Sequence, residues 1–279
     1  MKKLLALLLA LTMVLGLAAC GSTPAETEGE EPTEGDTAET VTLTVAATPT
    51  PHAEILQQVV EPLKEEGVEL VIKEYTDYIL PNTAVEEGEM DANYFQHTPY
   101  MNDFNAKRGT HLVAVADIHF EPLGLYPGKT TSLEELPEGA TVAVPNDSTN
   151  EGRALLLLEA QGLITLKEDA GLECTINDIV DNPKKLEIKE LEAAMVPQVI
   201  DDVDVAIINS NYAIQADLDP TTDALVSESA EDAKYPNIIC VKEGNENNEA
   251  ILKLVEALKS DAVRTFIEEN YNGAVVPMF

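Results

Sequence analysis

Tryptophan is missing from this 279-residue chain, and the other aromatics are few, 8 Tyr and 5 Phe. Basic residues are scarce too: 17 Lys and Arg face 51 Asp and Glu, a formal charge of −34. Such a field repels phosphate backbones and anionic headgroups, which excludes nucleic acid as a partner. Cysteine occurs three times, with no C-x-x-C, and no H-x-x-x-H accompanies it, so short-spaced metal motifs are absent. Neither a G-x-S-x-G elbow nor H-E-x-x-H appears, which leaves a surface hydrolase without a recognisable nucleophile or metal motif. No period of 20 to 50 residues suggests a solenoid.

What is present begins with "MKK" and the apolar run "LLALLLALTMVLGLAA", a positive n-region and an h-region too short to span a bilayer comfortably. Small residues in "LAAC" precede Cys20, an arrangement that resembles a bacterial lipobox. The expectation is a signal peptide over 1–19, cleaved before a diacylated Cys20. Residues 20–40 carry only small, turn-forming and acidic side chains beyond the cysteine, a flexible tether with no apolar area to offset chain entropy. The body beyond it holds −29 of the charge. Cys174 and Cys240 then remain, and the sequence leaves open whether they pair; "NIICV" makes Cys240 read as a small buried hydrophobe.

From Val41 onward strand-like and helix-like runs alternate. "VTLTVAAT" reads as a strand and "HAEILQQVVEPLKEEG" as a helix kinked in its last turn at Pro62. "SLEEL" has capping-box spacing. In "TNEGRALLLLEAQG", Asn150 reads as the N-cap and Gly162 as the residue beyond the helix end. "EAAMVPQVI" and "SNYAIQA" read as further helices. The alternation predicts α/β lobes with mostly parallel sheets. About 240 residues is near the size at which one core becomes two. Crossovers near 120–128 and 232–238 divide the body into 41–124 plus 237–279 as one lobe and 125–236 as the other. Two connecting strands make a hinge, and a hinge leaves a cleft.

Ligands in such sheets gather beyond the carboxyl ends of strands. Arg153 falls in what reads as the first helical turn, where the dipole disfavours a cation unless an anion sits opposite. A guanidinium there could be a carboxylate socket, or it could pair with one of the many acids. Asn209, Asn211 and Asn237 stand at strand ends, where asparagine can accept from an ammonium group or simply make a turn. "GEMDANYFQHTPYM" gathers Tyr94, Phe95, His97 and Tyr100, which suit either an apolar pocket wall or the core. A metal centre from His52, His97, His111 and His119 would have to collect residues spread over four elements.

Taken together, "ATPTPHAEIL", "DYILPN", "GEMDANYFQHTPYM", "VAVPNDSTNEGRALLLLEAQGLITL", "DNPKKLEIKELEAA", "DVDVAIINSNYA" and "YPNIICV" resemble the methionine-binding lipoproteins of the NlpA/MetQ type, substrate-binding components of ABC importers. The resemblance runs through the whole of 41–279 in order. It implies a two-lobe, type II-like periplasmic-binding-protein fold with the ligand in the inter-lobe cleft, no enzyme activity and no cofactor or metal. It implies a monomer tied to the outer face of a bacterial cell membrane by its lipid, handing methionine or a related amino acid to a permease and its ATPase. Position by position it implies that Tyr78, Phe95, His97 and Tyr100 surround the methionine side chain. Arg153 would take the carboxylate, with Asn150, Asn209 and Asn237 at the polar end. Glu151 departs from the family pattern beside that socket, so a D-amino acid, a methionine dipeptide or another small amino acid stays open.

Overall fold

The computed structural model describes residues 40–229 and 234–279. Cys20, the leader and the tether up to residue 39 lie outside the described residues. The first segment runs β1 (Val41–Ala47), a π-helical turn over Pro49–Ala53, α1 (Glu54–Gln57), α2 (Val60–Glu65), β2 (Val68–Glu74), α3 (Leu80–Glu86), β3 (Ala92–His97), α4 (Thr98–Arg108) and β4 (Leu112–Phe120). The second contains β5 (Gly124–Pro127), β6 (Thr141–Pro145), α5 (Ser148–Ala160), the short pair β7 (Thr165–Leu166) and β8 (Ile179–Asp181), β9 (Glu187–Leu191), β10 (Val205–Ile208), α6 (Ser210–Gln215) and β11 (Val226–Ser227). The chain then returns through β12 (Asn237–Lys242), α7 (Glu249–Leu258), α8 (Asp261–Tyr271) and β13 (Val276–Pro277).

Two sheets result, ordered β13-β4-β12-β3-β1-β2 and β11-β5-β10-β6-β9. They are mixed, which corrects the expectation of mostly parallel sheets. β1 lies parallel to β2 and β3, and β6 parallel to β9 and β10, but β12 is antiparallel to both β3 and β4, and β5 to β10. The cause is the double crossover: β4 carries the chain out and β12 carries it back beside it, so the two must run in opposite directions.

Both faces of each sheet are covered, which is why strands such as β3 and β10 are buried throughout. In the first lobe Ile55, Leu56 and Leu63 pack with Ile251, Leu254, Leu258 and Ile267 on one face, while Phe95, Tyr100, Met101 and Phe104 cover the other. α7 is capped by Asn248, which accepts from the Ala250 N–H at 2.9 Å, and presents Ile251, Leu254 and Leu258 inward. Burying each is worth roughly 1.5–3 kcal/mol.

Local departures from the sequence reading have physical causes. The first helix breaks at Gln58–Val59, before Pro62, which lies in the opening turn of α2. Proline's missing N–H is cheapest there, so the break moves N-terminal to it. "SLEEL" keeps the Glu135 N–H to Ser132 Oγ bond of a capping box but forms a turn, closed by Leu136 N–H to the Leu133 carbonyl, and no helix. "EAAMVPQVI" is divided into two 3-10 turns, Ala193–Met195 and Pro197–Asp202, at the proline.

Candidate functional site

The N-cap of α5 is Asp147, not Asn150: the Asp147 carboxylate accepts from the Asn150 N–H at 3.0 Å and from Asn150 Nδ2 at 2.9 and 3.0 Å. The helix therefore begins earlier than the sequence reading placed it, and Arg153 stands in the second turn, where the dipole argument fades. The close fit of α5 depends on Gly152, where a Cβ would lie 1.7 Å from the Leu172 carbonyl oxygen. Glu151 turns away into the neighbouring loop and accepts from the Ile176 N–H at 3.0 Å. Burial pushes its carboxyl up to about 7.

Arg153, 4% exposed, is held on several sides. Nε and Nη2 donate to Glu228 at 2.9 and 2.5 Å, Nη2 also to the Glu121 carbonyl at 3.0 Å, and Nη1 to Asn150 Oδ1 at 3.3 Å. Burial opposes the guanidinium charge, but Glu228 and then Glu121 outweigh it and raise the group above its ordinary value. The pairing with an acid that the sequence left open is thus present, through Glu228.

One pocket, with about 350 Å3 not filled by atoms, is walled by Tyr78, Phe95, His97, Tyr100, Asn150, Arg153, Asn209 and Asn237, the eight residues that the resemblance places around the ligand, while Tyr94 of the aromatic cluster lies in the core. Gln96, Glu121, Ser210 and Asn211 complete it. Elements of both sheets contribute. The first supplies Tyr78, with ring centroids 5.5 Å from Phe95 and 5.9 Å from Tyr100. Phe95 and Tyr100 belong at once to the core and to the pocket wall, so the choice between those readings dissolves.

Polar side chains cross between the lobes. Tyr78 Oη donates to Asn211 Oδ1 at 2.5 Å and His97 Nε2 to Asn150 Oδ1 at 3.4 Å; within the second lobe Asn209 Nδ2 donates to the same Asn150 oxygen at 3.1 Å. His97 caps α4, accepting the Tyr100 N–H on Nδ1 at 3.2 Å, so its proton is on Nε2. Burial, then Arg153, push it down to about 3, and it is neutral. Two buried groups of the pocket have no partner among the described residues, Asn209 Oδ1 and Asn211 Nδ2. An unpartnered buried acceptor beside an unpartnered buried donor is costly to the protein alone and suits a ligand carrying both functions.

Behind one wall lies a set that sequence reasoning placed far apart. His52, from the π-helical turn, and His119, from β4, both reach Glu121 Oε1 through Nε2, at 3.2 and 2.8 Å. The three ligand atoms lie within 4.8 Å of one another. The His119–Glu121 contact is a hydrogen bond, whereas the hydrogen bond of His52 Nε2 goes to Asn237 Oδ1 at 3.1 Å, with Glu121 a close electrostatic neighbour. His97 takes no part, and His111 pairs with Glu86 at the surface. Cys174 and Cys240 are both buried and free.

Glu121 carried no usable signal, being one acid among many in a strongly acidic chain. Gln96 and Ser210 were overlooked for similar reasons; Gln96 bonds to Asn82 and Asn93, and Ser210 Oγ donates to the Pro122 carbonyl.

Two α/β lobes built on two mixed sheets, with a walled pocket where their strand ends meet, are the architecture of periplasmic substrate-binding proteins. The chain matches the NlpA lipoprotein family over residues 43–279 and belongs to that family. The methionine-binding lipoprotein MetQ of Bacillus subtilis is 39% identical, the match covering 100% of this chain and 99% of the relative. Among solved structures, a lipoprotein of Ruminococcus gnavus is 54% identical with a TM-score of 0.84, covering 85% of this chain and 99% of that one. A nutrient-binding protein of Burkholderia cenocepacia bound to methionine is 43% identical with a TM-score of 0.82, covering 85% and 100%.

Proposed function

We propose that this protein captures methionine between its lobes and delivers it to the permease and ATPase of an ABC importer, without catalysing a reaction. The observation that carries this is the division of the pocket into an aromatic half and a polar half that retains the unpartnered Asn209 Oδ1 and Asn211 Nδ2. Tyr78, Phe95 and Tyr100, with His97, enclose the side chain, where a thioether against a ring edge gains roughly 0.3–1.5 kcal/mol. Arg153 Nη1, Asn150 and Asn211 face the carboxylate. Glu121, Asn209 and Asn237 face the ammonium group. Closure about the crossovers between 41–124 plus 237–279 and 125–236 brings both halves onto one ligand, a population shift driven by their joint contacts. Relatives that are membrane lipoproteins support an anchor through Cys20 at the outer face of the bacterial membrane, after loss of 1–19. Isothermal titration of the body 41–279 with L-methionine, D-methionine and glycyl-methionine tests the reading. Binding is expected to at least one; folded protein silent to all three refutes it.

A further inference from the structure

The geometry points to His119 and His52 as positioning residues, two neutral imidazoles of which His119 holds the Glu121 carboxylate through its Nε2–H, and His52 holds Asn237, at the pocket wall that would meet the ligand's α-ammonium group. This rests on the amino-acid reading of the pocket and says what makes its ammonium end selective.

The proton placement follows from the partners. An ionised carboxylate and an amide oxygen only accept, so His119 Nε2, bonded to Glu121 Oε1 at 2.8 Å, and His52 Nε2, bonded to Asn237 Oδ1 at 3.1 Å, both carry hydrogen. In a neutral ring Nδ1 is then an acceptor, and each Nδ1 has a hydroxyl aimed at it: Thr48 Oγ at 2.6 Å for His52, Tyr94 Oη for His119. Thr48, His52 and Asn237 form one chain and Tyr94, His119 and Glu121 another, each satisfied at every link by one arrangement of protons, and both end on a pocket residue. His52 Nε2 also lies 3.2 Å from Glu121 Oε1, which sets the two chains side by side. Glu121 is itself one of the residues that wall the pocket, and the Asn211 N–H bonds its carboxylate as well.

The surroundings keep the rings uncharged. His52 is 1% exposed and His119 0%. Burial pushes His52 down to about 4 and His119 to about 3. Glu121 is raised by burial, opposed by His52, by Arg153 and by the Asn211 N–H. The groups facing it are therefore His52 from the turn after β1, Tyr94 from β3, His119 from β4, Arg153 from α5 and the Asn211 N–H from α6. The phenols of Tyr78 and, from α8, Tyr271 also sense its charge. Without the His119 N–H donor, a carboxylate this buried would hold its proton to higher pH and lose its attraction for an ammonium group.

The test has two arms. In ligand-free protein with 15N-labelled histidine, His52 and His119 are expected as Nε2–H tautomers, uncharged from pH 5 to 8; Nδ1–H tautomers overturn the proposal. In the second arm methionine affinity is followed from pH 4.5 to 8. For His119→Leu the pH of half-maximal affinity should rise by about one unit, so that binding at the old midpoint falls about fivefold, and about tenfold well below it, while His119→Gln, which returns an N–H near the same place, should restore the wild-type profile. A uniform loss in His119→Leu with an unshifted profile overturns it. So does stoichiometric zinc binding that is lost in the same variant. Should His119→Leu not fold, Tyr94→Phe keeps the ring and removes the hydroxyl, and a mixture of His119 tautomers is expected; an unchanged tautomer overturns the proposal. Correct tautomers with no amino acid bound would overturn the methionine reading and the ammonium role with it. Wrong tautomers with tight methionine binding would overturn only the role of the histidines.

Discussion

Replacing Arg153 by alanine separates its two duties. In the folded protein the guanidinium neutralises Glu228 through bonds of 2.9 and 2.5 Å, in a site where Arg153 is 4% and Glu228 18% exposed. Removing one partner of a buried pair costs roughly 3–5 kcal/mol. Water at the partly open Glu228 relieves some of that, so a loss near the lower figure is expected by urea denaturation. The second duty is toward the ligand carboxylate. Truncating a desolvated charge contact costs roughly 2–5 kcal/mol, about 30- to 5,000-fold in affinity, read by calorimetry. The double variant Arg153→Ala with Glu228→Gln removes the stranded carboxylate. It should regain much of the stability and none of the affinity. Affinity of Arg153→Ala within about fivefold of wild type, the scale of an exposed pair, would refute Arg153 as the carboxylate contact.

The polar and aromatic walls allow further tests. Phe95→Leu should weaken methionine more than alanine in calorimetry, because the ring is lost from the side-chain wall; equal losses would return Phe95 to a purely structural role. Tyr78→Phe keeps the ring but removes the 2.5 Å bond to Asn211 that joins the lobes; about 0.5–1.5 kcal/mol of affinity should go with it, and unchanged binding would argue against that bond in the closed state. Glu151, raised to about 7 from an ordinary 4.5, keeps its proton in the folded state after the unfolded chain has released it. Wild-type stability should therefore fall as pH rises from 4.5 to 7. Glu151→Gln keeps the acceptor for Ile176 N–H and lacks the titration, so its urea midpoint should exceed that of wild type by more at pH 8 than at pH 5; equal differences would refute the assignment.

The alternation of β-branched runs with amphipathic ones made the α/β class legible, because periodicity is a local property and both sheets are built from it. Runs such as "VAVPND" and "VAIINSN" end in polar clusters, and strand ends in such folds are where ligands gather, so Arg153 and the asparagines stood out as candidates; naming Tyr78, Phe95, His97 and Tyr100 beside them took the family resemblance. Strand direction was another matter. Nothing in "NIICVK" tells that β12 is antiparallel to β3; that follows from the chain crossing twice between lobes. The N-cap of α5 was misplaced because Asp147, Ser148 and Asn150 all have capping chemistry, and only the backbone decides which of them begins the turn.

What the sequence determined by itself is what neighbours along the chain can express: a leader that reads as lipoprotein-like, an acidic body, the alternation of elements, and an aromatic cluster followed by asparagines and one arginine. Tertiary structure decided which distant groups share a proton or a charge. Arg153 meets Glu228 across 75 residues, and Glu121 lies between two histidines from different elements. Charge and hydrogen bonding act through space over a few ångströms, so in a chain with 51 acids no local pattern could say which would be buried and which partners would hold them.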